Sequence, residues 1–221
     1  MQLQLSTLVL PKLMEQDIAI LIADLSGYTA LTETHGAITA ADTIDKYLEI
    51  VNECLVGESF LHQCVGDEVV VISPSTDELI CTAISLINKC SAEHNFLQVH
   101  GGLHYGTILK RNNNYFGSTI NLTSRIAAKA TKGTFWCSEQ FVNALSDKNA
   151  FTFRQRGWQR FKNVSEECDV LELIIENTNP FNIDPVCRML IQRKETAVPH
   201  PENDILFCST NCRDIYIQQN L

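Results

Sequence analysis

An α+β fold with a mostly antiparallel sheet and helices packed on one side is predicted by three observations. The first is a continuous Ile-rich apolar run from Asp17 to Ala23, the pattern of a strand buried on both faces. The second is a pair of short apolar runs, Ser59 to Val65 and Glu68 to Ile72, joined at Gly66-Asp67. They read as a hairpin with an acid at its tip. The third is a pair of amphipathic segments, Ala40 to Leu55 and Asp77 to Glu93, with apolar residues at helical spacing.

The elements follow in order. Ser26-Gly27-Tyr28-Thr29 is a turn that feeds a helix, and Ile44, Tyr47, Leu48, Val51 and Leu55 supply the apolar face of the long segment. Leu79, Ala83, Leu86, Ile87 and Cys90 do the same in the next helix. Leu97 to Tyr105 and Thr107 to Lys110 read as strands, with Gly101, Gly102 and Gly106 allowing close backbone approach in the sheet. Arg111 to Asn114 is a polar turn, Gly117 to Ala130 a helix and Thr134 to Cys137 a strand. Phe151 to Phe161 and Asp169 to Ile175 pair as a terminal hairpin. The composition changes at Asn177-Thr-Asn-Pro180, which divides the chain into a domain over 1–176, a linker over 177–182 and a small module over 183–221.

A chain of 221 residues, 45% hydrophobic, supports one substantial core with a small appendage. The formal net charge of −9 argues against a nucleic-acid partner, since a phosphate backbone would be repelled. It leaves room for a nucleotide at a local cationic site. Of nine Cys, Cys54, Cys64, Cys81, Cys90, Cys137 and Cys168 stand in apolar segments and read as small core hydrophobes. The start Met-Gln-Leu-Gln-Leu-Ser lacks the basic residues of a signal peptide, and no apolar run approaches the roughly 20 residues of a membrane span. Reduced cysteines in a cytoplasmic protein are the expectation. There is no Gly-x-x-x-x-Gly-Lys loop, which argues against a P-loop nucleotidase.

Two acids stand out, each in a short apolar strand that ends in a turn: Asp24, in Ala23-Asp24-Leu-Ser-Gly27-Tyr-Thr29, and Asp67, in Val65-Gly66-Asp67-Glu68. Paired carboxylates hold divalent cations. Asn121 and Arg125, four residues apart in Tyr115-Phe116-Gly117-Ser-Thr-Ile-Asn121-Leu-Thr-Ser-Arg125-Ile-Ala, share one helix face. Metal ions plus an arginine suit chemistry at a nucleoside triphosphate. Taken singly, each acid reads as readily as a helix cap or turn former.

Together with Phe161-Lys162-Asn163-Val164, these motifs occur in the order found in the class III adenylate and guanylate cyclase catalytic domain, which the chain resembles from about Asp17 to about Ile175. The resemblance implies a ferredoxin-like nucleotide cyclase fold and conversion of ATP or GTP to a 3′,5′-cyclic nucleotide and pyrophosphate, in signal transduction. It implies that Asp24, Asp67 and the carbonyl of Leu25 hold two Mg²⁺ or Mn²⁺ ions. Ser26, Gly27, Tyr28 and Thr29 would cradle phosphate oxygens at a helix start. Asn121 would orient the ribose, Arg125 would stabilise the transition state, and Lys162 would meet the terminal phosphates. In that family the aspartates come from one subunit and the Asn and Arg from the other, so a homodimer with shared sites is implied. The alternative is a catalytically weak cyclase-fold dimer that binds nucleotide and acts as a metal or redox sensing module.

Adenylate cyclases usually carry Lys and Asp, and guanylate cyclases Glu and a small residue or Cys, at the two base-reading positions. Here Gln63 and Asn114 stand there. A primary amide both donates and accepts, so this pair fits adenine in one rotation and guanine in the other. His100 and His104 alternate with apolar residues and read as packed or edge side chains, and Trp136 and Trp158 as core or dimer-surface aromatics.

The tail, with Asp184-Pro-Val-Cys187-Arg-Met189 and Leu206-Phe207-Cys208-Ser-Thr-Asn-Cys212, resembles the small YHS or TRASH-type metal-associated module. Cys187, Cys208 and Cys212 are its candidate ligands for Zn²⁺ or another soft metal, with His200 or water as the fourth. Arg188 stands where that family usually has Gly. A module of this size gains from a metal or from docking onto the larger domain.

Overall fold

The computed structural model describes residues 13–112, 114–164, 167–176 and 182–220. The Ile-rich run is the centre of β1 (Leu13–Ser26). Its alternate residues enter different cores: Ala19, Leu21 and Ala23 belong to one cluster, and Ile18, Ile20 and Ile22 to another. Period-2 alternation with both faces covered is why the sequence shows no polar interruption. α1 (Tyr28–Cys54) follows and is broken at Gly36, where φ is 83° and ψ 172°.

The hairpin is β2 (Phe60–Val65) and β3 (Glu68–Ser73), turning at Gly66-Asp67. α2 (Thr76–Ala92) opens on Ser75, whose side chain accepts from the Glu78 amide, and carries acids in its first turn and Lys89 in its last. Both features favour the helix through its end groups and dipole. β4 (Gln98–Arg111) is one strand, not the two expected on either side of Gly106. Its ladder with β1 runs unbroken from Ser26↔Gln98 to Leu13↔Arg111, so the glycine stays extended within it. β5 (Asn114–Phe116) pairs with β4 and leads into α3 (Ser118–Lys129). A Cβ on Gly102 would lie 2.5 Å from the Ala127 amide nitrogen, so the close seating of α3 on β4 requires glycine there.

β6 (Phe135–Ser138), α4 (Glu139–Asn143), β7 (Thr152–Gln159) and β8 (Cys168–Ile174) complete the larger unit. The sheet order is β2-β3-β1-β4-β6-β8-β7, and among the described residues only the β4–β6 pairing is parallel. α1 and α2 pack on the Leu21 side, while Ala127 of α3 joins the Ile20 cluster on the other. The expectation of helices on one side is therefore corrected, since β1 is apolar on both faces and both need cover. Cys64 and Cys81 are exposed, which corrects their reading as core residues; Cys54, Cys90, Cys137 and Cys168 are buried. Trp136 is buried and Trp158 exposed.

Residues 177–181 of the expected linker lie outside the described residues, and Asn182 opens β9 (Asn182–Ile183). The tail continues through β10 (Leu190–Ile191), β11 (Val198–Pro199), β12 (Leu206–Phe207) and α5 (Thr210–Gln219). It has little core of its own: Cys187, Met189, Phe207 and Cys212 join the cluster that holds α1 and α2. The Leu190 amide donates to the Phe96 carbonyl at 2.6 Å, and Gln192 Nε2 to the Ser91 carbonyl at 3.1 Å.

Candidate functional site

Two clefts hold most of the residues singled out by sequence. The first, of about 390 Å³, is lined by Asp24, Leu25, Ser26, Gly27, Tyr28, Thr29, Asp67, His100, Ala128, Ala130 and Lys132. The register explains the meeting of its acids. Ala23 pairs with Val69, so β1 delivers Asp24 beside the Gly66-Asp67 turn that closes the hairpin. Burial pushes the Asp24 carboxyl up to about 7, helped by a hydrogen bond with Asp67 and by the charges of Asp67 and Glu68. Like charges this close repel, which disfavours the ionised form of Asp24 when no cation is present. Hard oxygen donors crowded in this way suit a small divalent cation. The Leu25 side chain is sealed in the core at 2% exposure, which leaves its main chain to face the cleft.

The floor of the cleft is the start of α1. Gly27 is its N-cap, at φ 99°, and no side chain caps the helix. Its carbonyl accepts from the Leu31 amide at 3.0 Å. The amides ahead of Leu31 lack intrahelical partners, and the helix dipole adds partial positive charge at the same place. Such a terminus suits phosphate oxygens.

The second cleft, of about 330 Å³, is lined by His104, Ser118, Thr119, Asn121, Leu122, Gln140, Asn163, Val164, Glu167 and Cys168. Arg125 is exposed one turn further along α3, and among the described residues no acid pairs with it. Lys162 is exposed in the turn closed by the Val164 amide on the Phe161 carbonyl at 3.2 Å, so it stands beside the Asn121 cleft. The structure thus brings Asp24, Asp67 and the 25–29 turn together, and Asn121 together with the Lys162 turn. The two clefts share no lining residue.

Gln63 and Asn114 are both exposed and line neither cleft. Each adjoins one partner of an edge-on contact between His62 and Tyr115, whose ring centroids are 4.9 Å apart.

Sequence reasoning missed two residues of the first cleft. His100, expected from its alternation with apolar residues to be a packed or edge side chain, is the cross-strand partner of Asp24, with Nδ1 2.9 Å from Ser26 Oγ. Burial holds its imidazole below the usual range. Lys132 is an exposed cation in the loop after α3. Pairing the first strand with the glycine-containing strand would have signalled His100; nothing local signals Lys132. His104 is buried as expected, with Nδ1 2.7 Å from Ser138 Oγ.

In the tail, Cys187, Cys208 and Cys212 converge, and the fourth member of the cluster is His35 of α1. His200 is not part of it: its ring packs against Phe207 and Tyr216, which corrects its reading as the fourth ligand.

This geometry has relatives. Residues 11–172 match the adenylate and guanylate cyclase catalytic domain, and the chain belongs to that family. An uncharacterized protein of Mycobacterium tuberculosis is 33% identical over 126 residues, which is 57% of this chain and 33% of that protein. An adenylate cyclase of Glutamicibacter nicotianae is 27% identical over 134 residues, 60% of this chain and 33% of that enzyme. This chain thus spans about a third of the length of the curated relatives it matches. Among solved structures, the adenylyl cyclase CyaB of P. aeruginosa shares the fold, with a TM-score of 0.64, 15% identity, and coverage of 76% of this chain and 99% of that one. Among the described residues, no helix is long and apolar enough to cross a membrane.

Proposed function

We propose that residues 1–176 are the catalytic unit of a nucleotide cyclase, converting ATP, or GTP, to a 3′,5′-cyclic nucleotide and pyrophosphate in a homodimer with shared sites. The observation that carries this reading is the meeting of Asp24 and Asp67 over the uncapped start of α1. In the reaction the ribose 3′-oxygen bonds to the α-phosphorus, the bond from that phosphorus to the β-phosphate oxygen breaks, the hydroxyl proton leaves, and pyrophosphate departs. Divalent cations, when bound, lower the pKa of the hydroxyl and offset the triphosphate charge.

The protein residues divide the remaining work. Asp24, Asp67 and the Leu25 carbonyl would hold two Mg²⁺ or Mn²⁺ ions. The amides of residues 26–29 would bind phosphate oxygens, and Lys132, facing the same cleft, would add a positive charge. Asn121 would fix the ribose so that its 3′-oxygen lies in line with the leaving oxygen. Arg125 would donate to the α-phosphate as charge develops, and Lys162 would neutralise the terminal phosphates. Gln63 and Asn114 would read the base, their amides serving either purine.

The separation of the two clefts supports a shared-site dimer. One chain offers acids and a helix terminus in one cavity, and Asn121 with the Lys162 turn in another. A head-to-tail pair would lay each acidic cleft against the partner's α3, giving two equivalent sites. The test is incubation of the purified chain with Mn²⁺ and ATP or GTP, followed by detection of cyclic product. Formation of cyclic nucleotide that Arg125→Ala reduces by two orders of magnitude or more supports the reading. Absence of product with both triphosphates rejects it and favours the alternative, a nucleotide-binding sensor dimer, to which the cysteine cluster of the tail lends support.

A further inference from the structure

We propose that His35 of the catalytic unit completes a zinc site with Cys187, Cys208 and Cys212, and that the ion staples the tail to the first segment of α1. The metal site stands on its own geometry; its effect on the phosphate turn rests on the cyclase reading above.

The four ligand atoms lie within 4.8 Å of one another. Cys208 Sγ is 3.4 Å from Cys187 Sγ and 3.6 Å from Cys212 Sγ. His35 Nε2 is 3.7 Å from Cys208 Sγ and 3.5 Å from Cys212 Sγ. With zinc–sulfur and zinc–nitrogen bonds of about 2.3 and 2.0 Å, a tetrahedron has S···S edges of about 3.8 Å and S···N edges of about 3.5 Å. The observed separations approach these edges. Three thiolates and an imidazole select a borderline or soft ion and disfavour Mg²⁺ or Ca²⁺. All four positions are filled by protein, which is the pattern of a structural site.

The surroundings hold the ligands in place. Asp184 is fully buried, and its Oδ1 accepts from the amides of Val186 at 2.8 Å and Cys187 at 3.1 Å. Its Oδ2 accepts from the Cys208 amide at 2.8 Å. One carboxylate therefore ties together the two loops that carry the first and second cysteines. Ser209 caps α5 by accepting from the Cys212 amide at 3.3 Å, which sets the third. Outer partners of this kind orient ligands and raise affinity.

The staple grips both ends of one short segment. His35 is the last residue before the break at Gly36, and the Asn211 side chain donates to the Thr34 carbonyl at 3.4 Å. At the other end, Arg188, next to Cys187, lies over Gly27: a Cβ on Gly27 would meet Arg188 Cβ at 2.5 Å. Arg188 holds φ 70°, so the turn keeps a left-handed residue where a glycine would be usual. Residues 28–35 thus run from the phosphate turn to the proposed ion. Occupancy of the site fixes this segment, and its loss frees the turn.

The test reads metal and backbone, not turnover. The full chain, purified without chelator, is expected to carry one zinc, or after chelation to take up one Co²⁺ with thiolate-to-metal charge-transfer and tetrahedral ligand-field bands. No stoichiometric uptake of either ion overturns the site. His35→Gln should weaken Co²⁺ binding at least tenfold and shift its visible bands; an unchanged spectrum and affinity overturn the role of His35. His35→Cys should bind stoichiometrically with a four-thiolate spectrum, and a spectrum identical to the parent's likewise overturns it. Hydrogen exchange across residues 28–35 should slow when zinc is added to the chelated chain; equal exchange with and without zinc overturns the staple. None of these readouts requires cyclase activity, so failure here and failure of the catalytic reading are distinct.

Discussion

Asp24 on β1 and His100 on β4 are direct cross-strand partners, at the point where both strands open into the acidic cleft. The imidazole meets Ser26 Oγ at 2.9 Å and so ties the strand end to the turn that follows it. His100→Ala is expected to loosen this turn, raising KM for the triphosphate with little change in the metal dependence. His100→Asn, which restores a hydrogen-bonding group at that position, should recover part of the loss. Steady-state kinetics of the two variants check it.

The raised Asp24 carboxyl gives a pH signature. Its folded pKa of about 7 lies above the ordinary Asp value of 3.8, so between those values the folded chain holds a proton that the unfolded chain has released. Metal-free stability therefore falls as pH rises from about 4 to about 7, for this group's contribution. Divalent cations relieve the repulsion and compete with that proton. The rise in melting temperature on adding Mn²⁺ should be larger at pH 8 than at pH 5.5, and Asp24→Asn should remove the difference. Thermal melts at the two pH values measure it.

Gly27 is constrained twice, by φ 99° and by the cover of Arg188. Gly27→Ala should cost about 1–3 kcal/mol in denaturant melts, from backbone strain and the displaced side chain. Arg188→Gly, compared in a double-mutant cycle, removes both the Cβ and the Cγ that the new methyl would meet, and should recover the steric share of that cost while leaving the strain at position 27.

Lys132 is a cation in the acidic cleft of a chain with net charge −9. Lys132→Ala should raise KM about fivefold, the effect of roughly 1 kcal/mol for one exposed charged contact, and should leave kcat near normal. The increase should shrink at high salt.

Much of the fold was legible because its periodicities are strong. The β2–β3 hairpin, α2, α3 and the β7–β8 pair appear where the patterns put them. The start of α1 was legible only as a helix fed by the Ser26–Thr29 turn, with no apolar face to bound it: the hydroxyls of Thr32, Thr34, Thr39 and Thr43 donate to the carbonyls of Tyr28, Ala30, His35 and Thr39, and Gly36 breaks the helix. Asp24 and Asp67 stand out in the sequence because each adjoins an apolar strand and a turn, and the structure brings them into one cleft. His35 escaped because its partners are far along the chain and nothing local marks a ligand. Cys64 and Cys81 stand among apolar neighbours, but on the outer side of their elements, a distinction that composition does not carry.

The proposed reading of the base by Gln63 and Asn114 has a direct consequence. Replacing them together with Lys and Asp should move the ratio of kcat/KM for ATP over GTP upward by about tenfold or more, equivalent to roughly 1.4 kcal/mol of discrimination. An unchanged ratio would remove both amides from the base pocket.

The proposed shared site is tested most directly by mixing two variants expected to be inactive. Asp24→Asn should lose the cation site and Arg125→Ala roughly 3–5 kcal/mol of transition-state stabilisation. In a random mixture half of the dimers pair one of each, and each such dimer rebuilds one of its two sites, so about a quarter of the parent activity should return. A mixture no more active than its separate components would contradict a site built from two copies of this chain.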